Sequence, residues 1–100
     1  MSELTPEDSD LSAIAISVLI VDDDEAHAHA VAESLTRVNC ECTIAATGQR
    51  GIELIESENY DVVITDLRME EVDGLAVLRK AKEELPDAEV IVLTGHSSVH

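Results

Sequence analysis

The sequence predicts an α/β fold in which a parallel sheet carries helices on both of its faces. Two observations lead to this prediction. Three of the four predicted strands are short apolar runs, rich in Val and Ile, with little polar alternation, which is typical of strands buried on both faces. Segments with helical periodicity separate these runs, and strands that alternate with helices form parallel sheets. A chain of 100 residues is long enough for one such domain but not for two.

The first half of the chain contains two predicted strands and the helix between them. The first strand is predicted at residues 17–21 and ends at a cluster of four acids at 22–25. A helix follows at about 25–38, since acids in a first turn suit a helix N-terminus, and Asn39 is its stop. A short strand is predicted at 42–46. At the i, i+3, i+4 spacing of a buried stripe, the first helix presents Ala30, Val31, Ser34, Leu35 and Val38.

The second half repeats the same alternation. A helix is predicted at 49–56, and the next strand covers 60–65. Asp73 is a predicted N-cap for a third helix that begins at Gly74. A fourth strand follows at 90–93. The buried stripe predicted for the third helix is Leu75, Leu78, Ala81 and Leu85.

Composition excludes several classes of protein. Twenty-two acids against six bases give a net charge of −16, which argues against direct binding to nucleic acid or to an anionic membrane. No apolar run reaches the roughly 18–20 residues that span a bilayer. Residues 1–13 are acidic and lack Lys and Arg, so they predict a flexible leader and not a secretory signal, with the domain at 14–100. The closely spaced Cys40 and Cys42 are expected to be reduced packing residues, and the chain is expected to be cytoplasmic.

Polar side chains that can carry chemistry follow three of the four strands. Asp22 and Asp23 follow the first strand, Asp66 the third and Thr94 the fourth. In an open parallel sheet, ligands bind outside the carboxyl ends of the strands, where these residues would meet. Two carboxylates ~4 Å apart repel by roughly 4 kcal/mol at an effective dielectric constant near 20, so the cluster requires a proton or a cation. Oxygen ligands suit Mg²⁺, and a carboxylate beside a cation and a hydroxyl suits phosphoryl transfer.

Four motifs in a fixed order resemble the receiver domain of bacterial two-component response regulators. They are VDDD at 21–24, VVITDLRM at 62–69, VDGL at 72–75 and IVLTG at 91–95. The resemblance covers residues 17–100. It implies a flavodoxin-like doubly wound sheet with the strand order 2-1-3-4. The phrase LTGHS at 93–97 is similar to receivers of sigma-54-dependent activators.

The resemblance also implies a role for individual residues. Asp66 would be the phosphoacceptor, and a histidine kinase would donate the phosphoryl group. Asp22 and Asp23 would form the acidic pair of a Mg²⁺ site, with Asp23 a direct ligand and Asp22 acting partly through water. Asp66 and the main-chain carbonyl of Arg68 would complete that site, and the hydroxyl of Thr94 would start the conformational switch. Such a domain is a signalling switch and not an enzyme, apart from self-phosphorylation and slow autodephosphorylation. It controls an output domain or target protein that this chain does not contain.

The sequence departs from the family pattern at two places. Glu70 stands where the family usually has Pro. The family's fifth strand, its Lys, its aromatic switch residue and its fifth helix have no counterpart, so we expect a truncated receiver. The fourth strand would then be an exposed edge, which predicts a marginal or self-associating fold that binds Mg²⁺ weakly and switches poorly.

Two other functions are compatible with the sequence. A haloacid-dehalogenase-type phosphatase would use Asp22 as nucleophile and Asp24 as acid, although it would leave Asp66 without a role. A degenerate receiver would serve only as a docking surface. Under all three hypotheses, His27 and His29 are expected to be surface or partly packed residues, because their positions two apart on a helix prevent joint chelation.

Overall fold

The computed structural model describes residues 15–67 and 74–93. Over these residues the chain forms four parallel strands and three helices in strict alternation. The strands are β1 Ile16–Val21, β2 Cys40–Ala45, β3 Val62–Asp66 and β4 Glu89–Leu93. The helices are α1 Glu25–Thr36, α2 Gly48–Ser57 and α3 Gly74–Glu84. The strand order is β2-β1-β3-β4, which confirms the predicted fold class and strand order.

The sheet topology brings the ends of β1 and β3 together. From β1 the chain crosses to β2 on one side and then returns past β1 to β3 on the other side. β1 and β3 are therefore neighbours, and Val21 pairs with Thr65. The residues that follow this pair are Asp22 and Asp66. The point where the strand order reverses is where ligands bind in open α/β sheets.

The two faces of the sheet carry separate apolar cores. Leu19, Val21 and Val63 pack with α2 and α3 in what we call the α2/α3-side core. Val18 and Ile20 point to the opposite face and pack with α1 in the α1-side core. Successive strand side chains alternate between faces, so a strand covered on both sides contains no polar positions. Tyr60, which lies just before β3, is buried in the α2/α3-side core.

The buried face of α1 differs from the predicted one. The helix ends at Thr36, and Asn39 adopts the left-handed conformation, with a φ of 66°. Ala28 is fully buried, whereas Val38, predicted to be buried, is exposed. The residues of α1 that face the α1-side core are Ala28, Val31, Ala32 and Leu35. The predicted stripe is confirmed at Val31 and Leu35. It was wrong at its other three positions, which are exposed, because alanines on both sides of the helix give the periodicity a weak direction.

The stripe predicted for the third helix is confirmed at Ala81 and Leu85 and wrong at Leu75. Val77, Ala81 and Leu85 are buried against the sheet, whereas Leu75 is 42% exposed. Gly74 permits a close approach of α3 to the end of β3, because a Cβ atom there would lie 2.3 Å from the carbonyl oxygen of Asp66. The first turn of α3 can thus lie against the backbone at the end of β3 only without a side chain at position 74. Among the described residues, no helix is long and apolar enough to cross a membrane.

Candidate functional site

Three carboxylates converge at the carboxyl edge of the sheet. Asp22 and Asp23 follow β1, and Asp66 is the last residue of β3. One oxygen from each of these side chains lies within 4.8 Å of the others. Asp22 is 2% exposed and Asp66 is 6% exposed, whereas Asp23 is open to solvent. We refer to these three residues as the acidic site.

The acidic site suits a hard divalent cation. At 4.8 Å, two full negative charges repel by about 3.5 kcal/mol at an effective dielectric constant near 20. Two of the three side chains are buried and cannot rely on water to screen this repulsion. All three donors are carboxylate oxygens, the ligand type that Mg²⁺ prefers, and the exposed Asp23 leaves the site accessible to a cation that keeps part of its water shell. The donor set therefore fits the predicted metal.

Hydrogen bonds within the turn after β1 orient Asp22. Its Oδ1 accepts from the backbone N–H of Asp24 at 2.9 Å. Its Oδ2 lies 2.5 Å from Nδ1 of His27. Asp24 caps α1, because its Oδ1 accepts from the backbone N–H of His27 at 3.1 Å. The buried Asp22 carboxylate is thus held from two sides by the first turn of α1 and the loop before it.

His27 is the residue of this region that the sequence did not reveal. It was expected to be a surface or partly packed residue, and its side chain is 47% exposed, but its ring also contacts Asp22. The hydrogen bond to Asp22 raises the pKa of His27, partial burial opposes this effect, and the charges of Asp22, Asp24 and Asp66 add to the increase. Side chains of a helix lean toward its N-terminus, so a histidine in the first turn could have been placed beside the preceding acids.

Two predicted site residues, Arg68 and Thr94, lie outside the described residues. The structure describes their neighbours, Leu67 and Leu93. The N–H of Leu67 donates to the carbonyl of Leu93 at 3.0 Å, and Asp66 pairs with Leu93 in the sheet. The end of β4 therefore lies beside the acidic site. Asp73, the predicted cap of α3, also lies outside the described residues.

Comparison with known proteins identifies the family. The sequence pattern of the response regulator receiver domain matches residues 18–100. The chain belongs to this family. NtrC of Klebsiella pneumoniae, a DNA-binding transcriptional regulator, is 34% identical over 66 residues, which are 66% of this chain and 14% of NtrC. The transcriptional regulatory protein YhcZ of Bacillus subtilis is 43% identical over 53 residues, which are 53% of this chain and 25% of YhcZ.

Solved receiver structures have the same fold. A receiver domain protein from Methanospirillum hungatei is 31% identical with a TM-score of 0.79, over 86% of this chain and 69% of that one. TrrA from Thermotoga maritima, solved in complex with Mg²⁺ and BeF, is 28% identical with a TM-score of 0.73, over 84% of this chain and 76% of that one. The similarity to sigma-54-dependent activators is confirmed by relatives such as NtrC.

The family assignment also bears on the phosphatase alternative. That alternative needs Asp24 as an acid, but in this receiver domain Asp24 caps α1 and its carboxylate accepts from a backbone N–H. It also leaves Asp66 unused, although Asp66 is buried at the centre of the site. Receiver domains belong to two-component signalling, in which a phosphoryl group is taken up on an aspartate. The chain spans between about a seventh and a quarter of the length of the curated relatives described here.

Proposed function

We propose that Asp66 of this receiver domain accepts a phosphoryl group from a histidine kinase, with Mg²⁺ bound at the acidic site. The observation that carries the proposal is the convergence of Asp22, Asp23 and Asp66 within 4.8 Å at the switch point of the sheet. In the transfer, a carboxylate oxygen of Asp66 bonds to phosphorus while the bond from phosphorus to the donor histidine breaks. A bound cation would neutralise the negative oxygens that meet there.

The three carboxylates differ in their suitability as the phosphoacceptor. Both oxygens of Asp22 accept hydrogen bonds, from Asp24 and His27, and these contacts orient the carboxylate as a ligand. Asp23 is exposed on a turn, so its rotamer is less restricted. Asp66 lies at the end of a central strand, paired with Leu93 and packed against Gly74, and this rigid backbone fixes where its carboxylate begins. We therefore assign Asp66 as acceptor and the other two as metal ligands.

The remaining roles follow from family membership. The main-chain carbonyl of Arg68 would complete the metal site, and the hydroxyl of Thr94 would turn toward the phosphoryl group and start the switch. Solved relatives support this chemistry: TrrA was crystallised with Mg²⁺ and BeF, and a response regulator from Burkholderia pseudomallei with a phosphorylated aspartic acid and a calcium ion. We further propose that the protein is cytoplasmic, with a leader at residues 1–13 and the receiver domain at 14–100.

The output of the switch would be transcription regulation through a domain or target protein outside this chain. Relatives such as NtrC are DNA-binding transcriptional regulators, and the matched region is a small part of each. The net charge of −16 opposes direct contact of this region with DNA. The phosphoryl group would add negative charge to the acidic site. This charge would shift the equilibrium between two packing arrangements of the face beside the site.

Phosphorylation with a small donor tests the proposal. The chain is incubated with acetyl phosphate and Mg²⁺, and intact-mass spectrometry measures the gain of one acid-stable, hydroxylamine-labile phosphoryl group. We expect the gain in the unsubstituted chain and in Asp87→Asn, an exposed aspartate at the other end of the sheet. We expect no gain in Asp66→Asn or in the presence of EDTA. A gain that persists in Asp66→Asn would disprove the assignment, and a folded chain that never gains the group would support the docking-only alternative.

A further inference from the structure

The contact between His27 and Asp22 goes beyond the roles that family membership assigns. Asp22 is 2% exposed, so water cannot fix the direction of its carboxylate. Within residues 15–67 and 74–93, two groups do so: the backbone N–H of Asp24 on Oδ1 and Nδ1 of His27 on Oδ2. The first contact is available to any residue at position 24 that has a backbone N–H. The second depends on a histidine in the first turn of α1, three residues after the helix cap.

The chemistry of the two groups determines the direction of this hydrogen bond. An ionised carboxylate can only accept, so Nδ1 of His27 must carry the hydrogen and donate it. A carboxylate offers about four acceptor positions, of which the contacts with Asp24 and His27 use two. Acceptor capacity therefore remains on both oxygens for a cation or its water. The contact with His27 is compatible with metal binding and restricts the rotation of the carboxylate that takes part in it.

We propose that His27 is a positioning residue of the cation site, whose Nδ1–H holds the buried Asp22 carboxylate in the orientation that a bound Mg²⁺ requires. This inference rests on the proposed function, because it assumes that the acidic site holds the cation. Groups that hydrogen-bond to metal-ligating side chains typically contribute 10–100-fold to metal affinity. The half-exposed ring of His27 places its effect at the low end of this range, about tenfold.

Four substitutions separate positioning from packing. His27→Ala removes the ring. The Asn and Leu side chains of His27→Asn and His27→Leu have nearly the same shape. Only Asn has an N–H donor, and its nitrogen is bonded to Cγ, as Nδ1 is in His27. His29→Ala is the matched control, because His29 is an exposed histidine of the same helix. Isothermal titration calorimetry at one fixed pH measures the Mg²⁺ affinity of each variant, and circular dichroism in EDTA verifies its fold.

We expect His27→Ala and His27→Leu to bind Mg²⁺ about tenfold more weakly, His27→Asn to regain most of this loss, and His29→Ala to match the unsubstituted chain. If His27→Ala does not fold, the comparison of Asn with Leu still decides the question. Equal affinity in the Asn and Leu variants, or tighter binding without the ring, would overturn the positioning role. The second result would mean that His27 competes with the cation.

One further variant distinguishes this inference from the proposed function. Asp23→Asn removes an exposed carboxylate of the acidic site and is expected to abolish measurable Mg²⁺ binding. If Asp23→Asn loses binding while the His27 variants keep it, the role of His27 is wrong and the metal site remains. If the unsubstituted chain binds no Mg²⁺, the proposed site is wrong and the role of His27 fails with it.

Discussion

Replacing Gly74 by Ala should damage the acidic site from outside it. A Cβ atom at position 74 would lie 2.3 Å from the carbonyl oxygen of Asp66, 2.7 Å from Cα of Leu67 and 2.9 Å from the carbonyl carbon of Asp66. All three atoms belong to the backbone, so no side chain can rotate away. The first turn of α3 and the end of β3 must separate, and this separation moves Asp66 itself.

The expected cost follows from two opposing effects. Ala is favoured over Gly in a helix by about 1 kcal/mol, which would stabilise α3. Overpacking of a tight contact typically costs about 1–3 kcal/mol, and contacts with backbone at these distances belong to the upper end. We expect Gly74→Ala to lower the free energy of unfolding by about 2 kcal/mol and to slow phosphorylation of Asp66.

Gly51→Ala is the matched control for this prediction. A Cβ atom there would lie 2.8 and 2.9 Å from the two methyl carbons of Val21, which belong to a side chain and not to the backbone. We expect a smaller loss of about 1 kcal/mol, with phosphorylation of Asp66 preserved. Urea denaturation followed by circular dichroism measures the stability of both variants, and acetyl phosphate measures their reactivity. A Gly74→Ala chain as stable and as reactive as the unsubstituted one would refute the reasoning.

Three further predictions concern the core, the pH dependence and the metal. Leu19→Ala removes a fully buried side chain from the α2/α3-side core and should cost about 2–5 kcal/mol in urea denaturation, enough to unfold a marginal domain. The pKa of His27 is raised above its ordinary value of 6.5 in the folded state, so its stabilising contribution is complete below pH 6.5 and lost as the pH rises through the higher folded value. Because the His27 side chain is half exposed, we expect this loss to lower the free energy of unfolding by less than about 1 kcal/mol. Thermal melts without metal measure the loss, which should be absent in His27→Asn. Mg²⁺ at ten times its dissociation constant should raise the unfolding free energy by about 1.4 kcal/mol, and Asp23→Asn should abolish this increase; an increase that survives the substitution would place the cation elsewhere.

Burial on both faces made the fold predictable from the sequence. The residues of β1 from Val18 to Val21 are almost fully buried, so the strand has no polar positions and its pattern has one interpretation. β4 has a similar apolar composition but lies at an edge of the described sheet, where Ile91 is exposed. Apolar composition therefore located both strands but did not distinguish the central strand from the edge strand. The strand order came from the resemblance to receivers and not from periodicity.

The helices show where sequence patterns become ambiguous. In α1 the alternation of Ala with polar residues permits two phases of the same stripe, and packing of Ala28 against β1 selects one of them. In α3, Gly74 lies close to the backbone of Asp66, and Val77 is buried while Leu75 is exposed. Both choices depend on contacts between elements, which local periodicity does not contain.

The acidic site was partly predictable for the same kind of reason. The convergence of Asp22, Asp23 and Asp66 follows from parallel strands with a common carboxyl edge, and the structure brings the three together. The contact of His27 with Asp22 depends on the position of the first turn of α1 relative to the end of β1. No sequence motif encodes this geometry, so the sequence does not predict that His27 contacts Asp22.

The position of Tyr60 determines what an optical experiment on this domain can report. It is the only aromatic residue of the chain, and it lies in the α2/α3-side core before β3, whereas Asp66 ends that strand. The five residues of β3 span about 16 Å. We therefore expect the fluorescence of Tyr60 not to respond to the binding of a cation at the acidic site. A change in tyrosine emission on phosphorylation would instead report that packing had changed around Tyr60, at the end of β3 opposite to Asp66.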